Sequence, residues 1–123
     1  MRAGNKQTGT RIRVVLEPDI AIGPGKADML EAVRETGSIA AAGRSMGMGY
    51  KRAWSLVDAL NHEFREPLVA AAKGGARGGG AHLTPLGEEV LTRYRRIEAI
   101  TEEAAAEEMA ALRAALADMS SRK

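Results

Sequence analysis

Between Gly37 and Phe64 two short helical patterns follow each other with only a glycine turn between them, and few architectures accept that arrangement. Ser38 stands where an N-cap is wanted for the segment IAAAGRSM, because its hydroxyl can accept from an unpaired first-turn N–H. The alanines of that segment leave room for a second helix to approach closely. Gly47 ends it. From Tyr50 to Phe64 the apolar residues Ala53, Val57, Leu60 and Phe64 recur at helical spacing and form one narrow stripe for a core. Lys51, Ser55, Asp58 and His62 fall opposite that stripe, with Arg52 and Trp54 on its flanks. The exposed face is therefore basic at its amino-terminal end.

The flanking segments extend the pattern. RIRVVLE, Arg11 to Glu17, alternates as a half-buried strand does, and the following PDIAIGPG is expected to break regular structure. Lys26 to Thr36 places Ala27, Leu30 and Val33 at helical spacing before Gly37 stops the run. PLVAAAK (Pro67 to Lys73) and AHLT (Ala81 to Thr84) read as two strands joined by GGARGGG, a hairpin with Arg77 near its tip. Thr84 and Pro85 are the preferred cap and first residue of a last helix, expected to reach Met119, with Leu86, Val90, Ile97, Ile100, Ala104, Ala111 and Ala115 on one side. A continuous helix of that length runs about 50 Å, longer than a domain this small is wide. Part of its stripe must then meet another chain, which predicts a two-fold homodimer.

Charge and composition narrow the function. Residues 1 to 97 hold 15 Lys and Arg against 10 Asp and Glu, whereas residues 98 to 123 hold 3 against 6. A basic body thus carries an acidic end that DNA would repel. Without cysteine there is no disulfide framework, thiolate nucleophile or thiolate zinc site. His62 and His82 are the only histidines and lack a metal-ligand spacing, so no metal and no cofactor are expected. GGARGGG lacks the Gly-Lys-Ser/Thr end of a phosphate loop. Met46 and Met48 read as core fillers, and Trp54 as a packing anchor, with contact to a sugar-phosphate backbone as the alternative. No nucleophile and base pair, carboxylate dyad or metal cluster stands at a usable spacing, so the chain is not expected to be an enzyme. No apolar run is long enough to span a bilayer or serve as a signal peptide, which leads to a cytoplasmic, nucleoid-associated expectation.

Two helices across a glycine turn, the second basic at its exposed start, followed by a two-stranded hairpin, form a winged helix-turn-helix. The expected class is mainly α with a small β wing and a long C-terminal dimerisation helix. Its domains are a disordered 1–9, a DNA-binding 10–97, and 98–123 as the end of the dimerisation helix and a tail. The partner is double-stranded DNA, which a recognition helix enters through the major groove with phosphates and guanine edges as acceptors. Candidate contacts are Gly49, Tyr50, Lys51, Arg52 and Ser55 on that helix, Arg44 near the end of the preceding helix, and Lys73 and Arg77 on the wing. The rival reading keeps the winged fold but binds a protein partner, which would not need the basic face.

TGSIAAAGRSMGMGYKRAWSLVDALN and PLVAAAKGGARGGGAHLTPLGEEVL resemble the amino-terminal DNA-binding domain of ModE-family molybdate-responsive regulators, and more distantly LysR-type domains. The resemblance spans residues 24 to 97 and implies a winged-helix fold, dimerisation and operator binding. Family members usually carry Ser before the Tyr-Lys pair, where this chain has Gly49, so a hydroxyl contact would be missing. They also tend to carry charge where Ala70, Ala71 and Ala72 stand here. The family's oxyanion-binding domains would begin about where residue 123 lies. Molybdate sensing is therefore not transferred, and two alternatives stay open: a regulator without a ligand, or one that works with a separate effector-binding protein.

Overall fold

A computed structural model describes residues 9–72 and 80–117. Among the described residues the elements are, in order, β1 (Val14–Glu17), β2 (Ile20–Ile22), α1 (Pro24–Thr36), α2 (Ile39–Ser45), α3 (Tyr50–Glu63), β3 (Val69–Ala72), β4 (Gly80–Leu83), α4 (Pro85–Ala104) and α5 (Ala106–Ala114). The class is mainly α with a small β wing, as expected. Three helices pack around a core in which Met29, Leu30 and Val33 of α1, Val57 and Leu60 of α3, and Leu91 and Tyr94 of α4 are almost wholly buried. Leu68, just before β3, closes the same cluster.

The helix boundaries obey local chemistry. Gly37 caps α1 in the left-handed conformation with φ 72°, and its N–H donates to the Val33 carbonyl. Ser38 accepts from the Ala41 N–H at 3.0 Å and starts α2. Thr84 does the same for α4, accepting from the Gly87 N–H at 3.0 Å, with Pro85 in the first position.

Two expectations need correction. PDIAIGPG does not break regular structure throughout: Ile20–Ile22 is a strand that pairs antiparallel with β1, matching Val14 to Ile22 and Val15 to Ala21. Asp19 makes the tight return possible with φ 71°, a conformation Asp tolerates better than most residues. Secondly, the last helix is interrupted at Ala105, whose φ −93° and ψ 2° separate α4 from α5. No residue of α5 is buried, so within one chain no packing holds this end in line with α4. Met119 lies outside the described residues. The core side of α4 is Leu86, Gly87, Leu91 and Tyr94; of the expected stripe Leu86 is buried and Val90 partly buried against the core, while Ile97 and Ile100, nearer the end of α4, are 37% and 60% exposed.

α4 is fastened to α1 by charge as well as packing. Arg95 reaches Asp28 at 2.9 Å, Glu31 at 2.6 Å and Glu98 at 2.9 Å. Burial disfavours the guanidinium charge, yet its hydrogen bonds to Asp28, Glu98 and Glu31 outweigh this and hold the pKa above its ordinary value. Asp28 is only 7% exposed, so losing Arg95 would leave a buried carboxylate without this partner.

Candidate nucleic-acid interface

The turn between α2 and α3 is built by backbone contacts. Gly47 takes φ 72°, which its missing side chain permits at little cost, and its N–H donates to the Arg44 carbonyl at 3.0 Å. The Met48 N–H then returns to the Gly43 carbonyl at 2.9 Å. Gly43 also sets how close the two helices come, because a Cβ there would stand 2.7 Å from the Ala53 Cβ.

That approach buries one side of α3 and frees the other. Ala53, Val57 and Leu60 are buried, whereas Gly49, Tyr50, Lys51, Arg52, Trp54, Ser55, Asp58 and His62 are exposed. Gly49 is the N-cap and supplies no side-chain acceptor, so the first-turn N–H groups have no side-chain cap. Arg44, in the last turn of α2, is exposed next to the same turn. Six of the eight expected contact residues thus gather at the amino-terminal end of α3 and the helix before it. Lys73 and Arg77 lie outside the described residues.

Charge is distributed unevenly between interface and scaffold. The scaffold cations Lys26, Arg34, Arg93 and Arg95 are paired with Glu63, Glu88, Glu89 and the Asp28 cluster. Among the described residues, Arg44, Lys51 and Arg52 have no ion-pair partner. Their charge is uncompensated locally and open to an anionic partner.

The wing is fixed to α3 by a residue the periodicity did not single out. Asn61 accepts from the Leu68 and Val69 N–H groups, each at 2.9 Å, and donates to the Val69 carbonyl at 3.0 Å. Its only sequence signal is a polar amide beside the apolar stripe. β3 and β4 pair in register from Val69 opposite Leu83 to Ala72 opposite Gly80, and the Ala81 N–H donates to the Gly37 carbonyl at 2.8 Å, tying the wing to the end of α1. Between α3 and the wing lies a mostly apolar groove of about 440 Å³ whose walls include Tyr50, Trp54, Val57 and Ala71. Trp54 is not the packing anchor expected of it. It is 42% exposed and meets Tyr50 edge to face at 6.1 Å, because smaller side chains already fill the space beneath α3.

His62 bonds the Asp58 carbonyl one turn back at 2.8 Å. No group of three or more His, Asp or Glu side chains among the described residues could hold a metal ion. Among those residues no helix is long and apolar enough to cross a membrane.

Known proteins place this geometry in context. A family profile described as bacterial regulatory helix-turn-helix protein, lysR family, matches residues 26–88. The chain is 48% identical over 87 residues to the molybdenum-pterin-binding protein MopB of Rhodobacter capsulatus, covering 70% of this chain and 32% of that protein. It is 36% identical over 95 residues to the molybdenum transport protein ModE of Azotobacter vinelandii, covering 74% and 35%. It is also 30% identical over 89 residues to the DNA-binding transcriptional dual regulator ModE of Escherichia coli K12, covering 72% and 34%. The chain spans about a third of the length of these relatives.

Proposed function

The chain belongs to the lysR family of bacterial regulatory helix-turn-helix proteins, and from that premise we propose that it is a sequence-specific, ModE-like transcription regulator that binds double-stranded DNA as a homodimer. The observation that carries this reading is the uncompensated charge of Lys51 and Arg52 on the exposed start of α3, beside a wing held in place by Asn61. A helix of this width fits the major groove, where lysine and arginine meet guanine edges and phosphates. Arg44, Gly49, Tyr50 and Ser55 flank that entry, and Lys73 and Arg77 are assigned to the wing side. Residues 10–97 are the DNA-binding unit in this reading, and 98–123 belong to dimerisation. The protein works in the cytoplasm on the nucleoid, without catalysis or cofactor. No molybdate site is assigned to these residues, and molybdenum enters only through the names of the relatives.

The test is fluorescence anisotropy with an operator selected from genomic fragments. Where Lys51 or Arg52 reads a base edge, its change to Ala weakens the selected site by about 1 to 3 kcal/mol and random DNA much less. If both changes leave affinity for every DNA unaltered, the groove assignment is wrong. The exposed Tyr50–Trp54 pair favours a second reading, docking of a protein partner on the same face, and that reading would then take precedence.

A further inference from the structure

On an α-helix each residue advances about 100°, which divides the exposed surface of α3 into three strips. Lys51, Asp58 and His62 point outward; Tyr50, Trp54 and Asn61 face the wing; Arg52, Ser55 and Ala59 lie about half a turn from the wing side. This last strip forms one wall of an open groove of about 600 Å³. The opposite wall is the β1–β2 hairpin and the start of α1, with Arg13, Asp19 and Lys26.

From this groove we infer that the β1–β2 hairpin is a second DNA-contacting element, in which Arg13 binds the phosphodiester backbone on the side of the recognition helix away from the wing. The inference rests on the DNA-binding reading and adds the contact that reading leaves open. A major groove is about 12 Å wide, so a helix lodged in it has a sugar-phosphate strand on each flank. The wing borders one flank. On the other, Arg13 is exposed and, among the described residues, has no ion-pair or hydrogen-bond partner. Lys26 is not an equivalent donor, because it is committed to Glu63 at 2.6 Å and to the Ala21 carbonyl at 2.8 Å. Arg13 immediately precedes β1, and its Cα packs 3.7 Å from where a Cβ on Gly23 would stand, so the hairpin carries it beside Arg52 on a braced backbone. Asp19 is the one carboxylate on the walls and opposes a phosphate there. The two side chains therefore act with opposite signs.

The experiment measures affinity for a selected operator and for random duplex from 50 to 200 mM salt, with circular dichroism melts confirming that each variant is folded. Arg13→Ala is expected to weaken both DNAs by similar factors, about threefold to tenfold, and to make the salt slope shallower by about 0.9, the value for one phosphate contact. Arg13→Lys should restore the slope, and Asp19→Asn should tighten both DNAs. Arg65, exposed on the far side of the hairpin, should have no effect when changed to Ala. An unchanged Arg13→Ala variant, with wild type binding normally and Arg52→Ala weakened, overturns the hairpin contact and leaves the DNA reading standing. An Arg65→Ala loss equal to that of Arg13→Ala also overturns it, since net charge would then explain both. If wild type binds no DNA at any salt, the underlying reading falls as well.

Discussion

Tyr94 ties the N-terminal segment to the helical body: its hydroxyl donates to the Ile12 carbonyl at 2.5 Å, while its ring is 1% exposed in the core. Burial, and after it the negative charge of Glu98, pushes this phenol above its ordinary pKa of 10.0. Because the folded value is raised, its contribution to stability is complete below pH 10 and is lost as pH rises through the folded pKa. Tyr94→Phe should lower stability at pH 7 by about 1 kcal/mol and flatten the decline above pH 10. Urea titrations at both pH values test this, and an equally steep alkaline decline in the variant would assign it to other groups. Just over two turns further on, Glu102 accepts from the Thr10 N–H at 3.1 Å and hydroxyl at 2.9 Å, and these bonds hold its carboxyl below the usual range. Neither partnership was legible in the sequence, since each joins residues more than 80 positions apart. Helical spacing put Leu86, Val90, Ile97 and Ile100 on one side of the last helix and did not single out Tyr94, which the fold buries.

At the scale of elements, α2 and α3 were legible almost to the residue, because Ser38, Gly47 and the alternation of small and large apolar residues are local signals. Their spacing from each other depends on Gly43. Gly43→Ala gains helix propensity, but its methyl would meet the Ala53 Cβ at 2.7 Å and force the pair apart. A net loss of about 1 to 2 kcal/mol is expected in thermal unfolding, with weaker operator binding because α3 shifts against the wing. If the variant melts at or above the wild-type temperature, the packing at this crossing is looser than the distance implies. The β1–β2 hairpin was missed because Pro18 and two nearby glycines read as breakers. A two-stranded hairpin is marginal alone; here it gains stability by burying Ile22 and partly burying Val14 against the helical core.

At the scale of the whole molecule, one chain leaves apolar surface exposed. Ile100, Leu112 and Leu116 are 60%, 68% and 62% exposed, and β1 adjoins α4 along a groove of about 270 Å³ that includes Leu16 and Ile97. Such a surface supports the proposed homodimer without requiring one unbroken helix. Light scattering at micromolar concentration should give about twice the 13.0 kDa chain mass. Leu112→Glu combined with Leu116→Glu should shift it toward monomer and weaken operator binding. A strictly monomeric wild type would remove the dimer from the proposal.

The sequence by itself determined the first three helices and the start of the fourth, the caps at Gly37, Ser38 and Thr84, the basic, exposed start of α3 and the resemblance to a regulator family. These follow from hydrogen-bonding groups and side-chain periods that act over a few residues. Only the tertiary structure decided that Ile20–Ile22 becomes a strand, that Tyr94 rather than Ile97 faces the core, that Trp54 stays at the surface, and that Arg13 stands beside Arg52. Each of these depends on which distant surface fills the neighbouring space, and a linear pattern carries no record of that choice when two faces are equally apolar or two cations equally exposed.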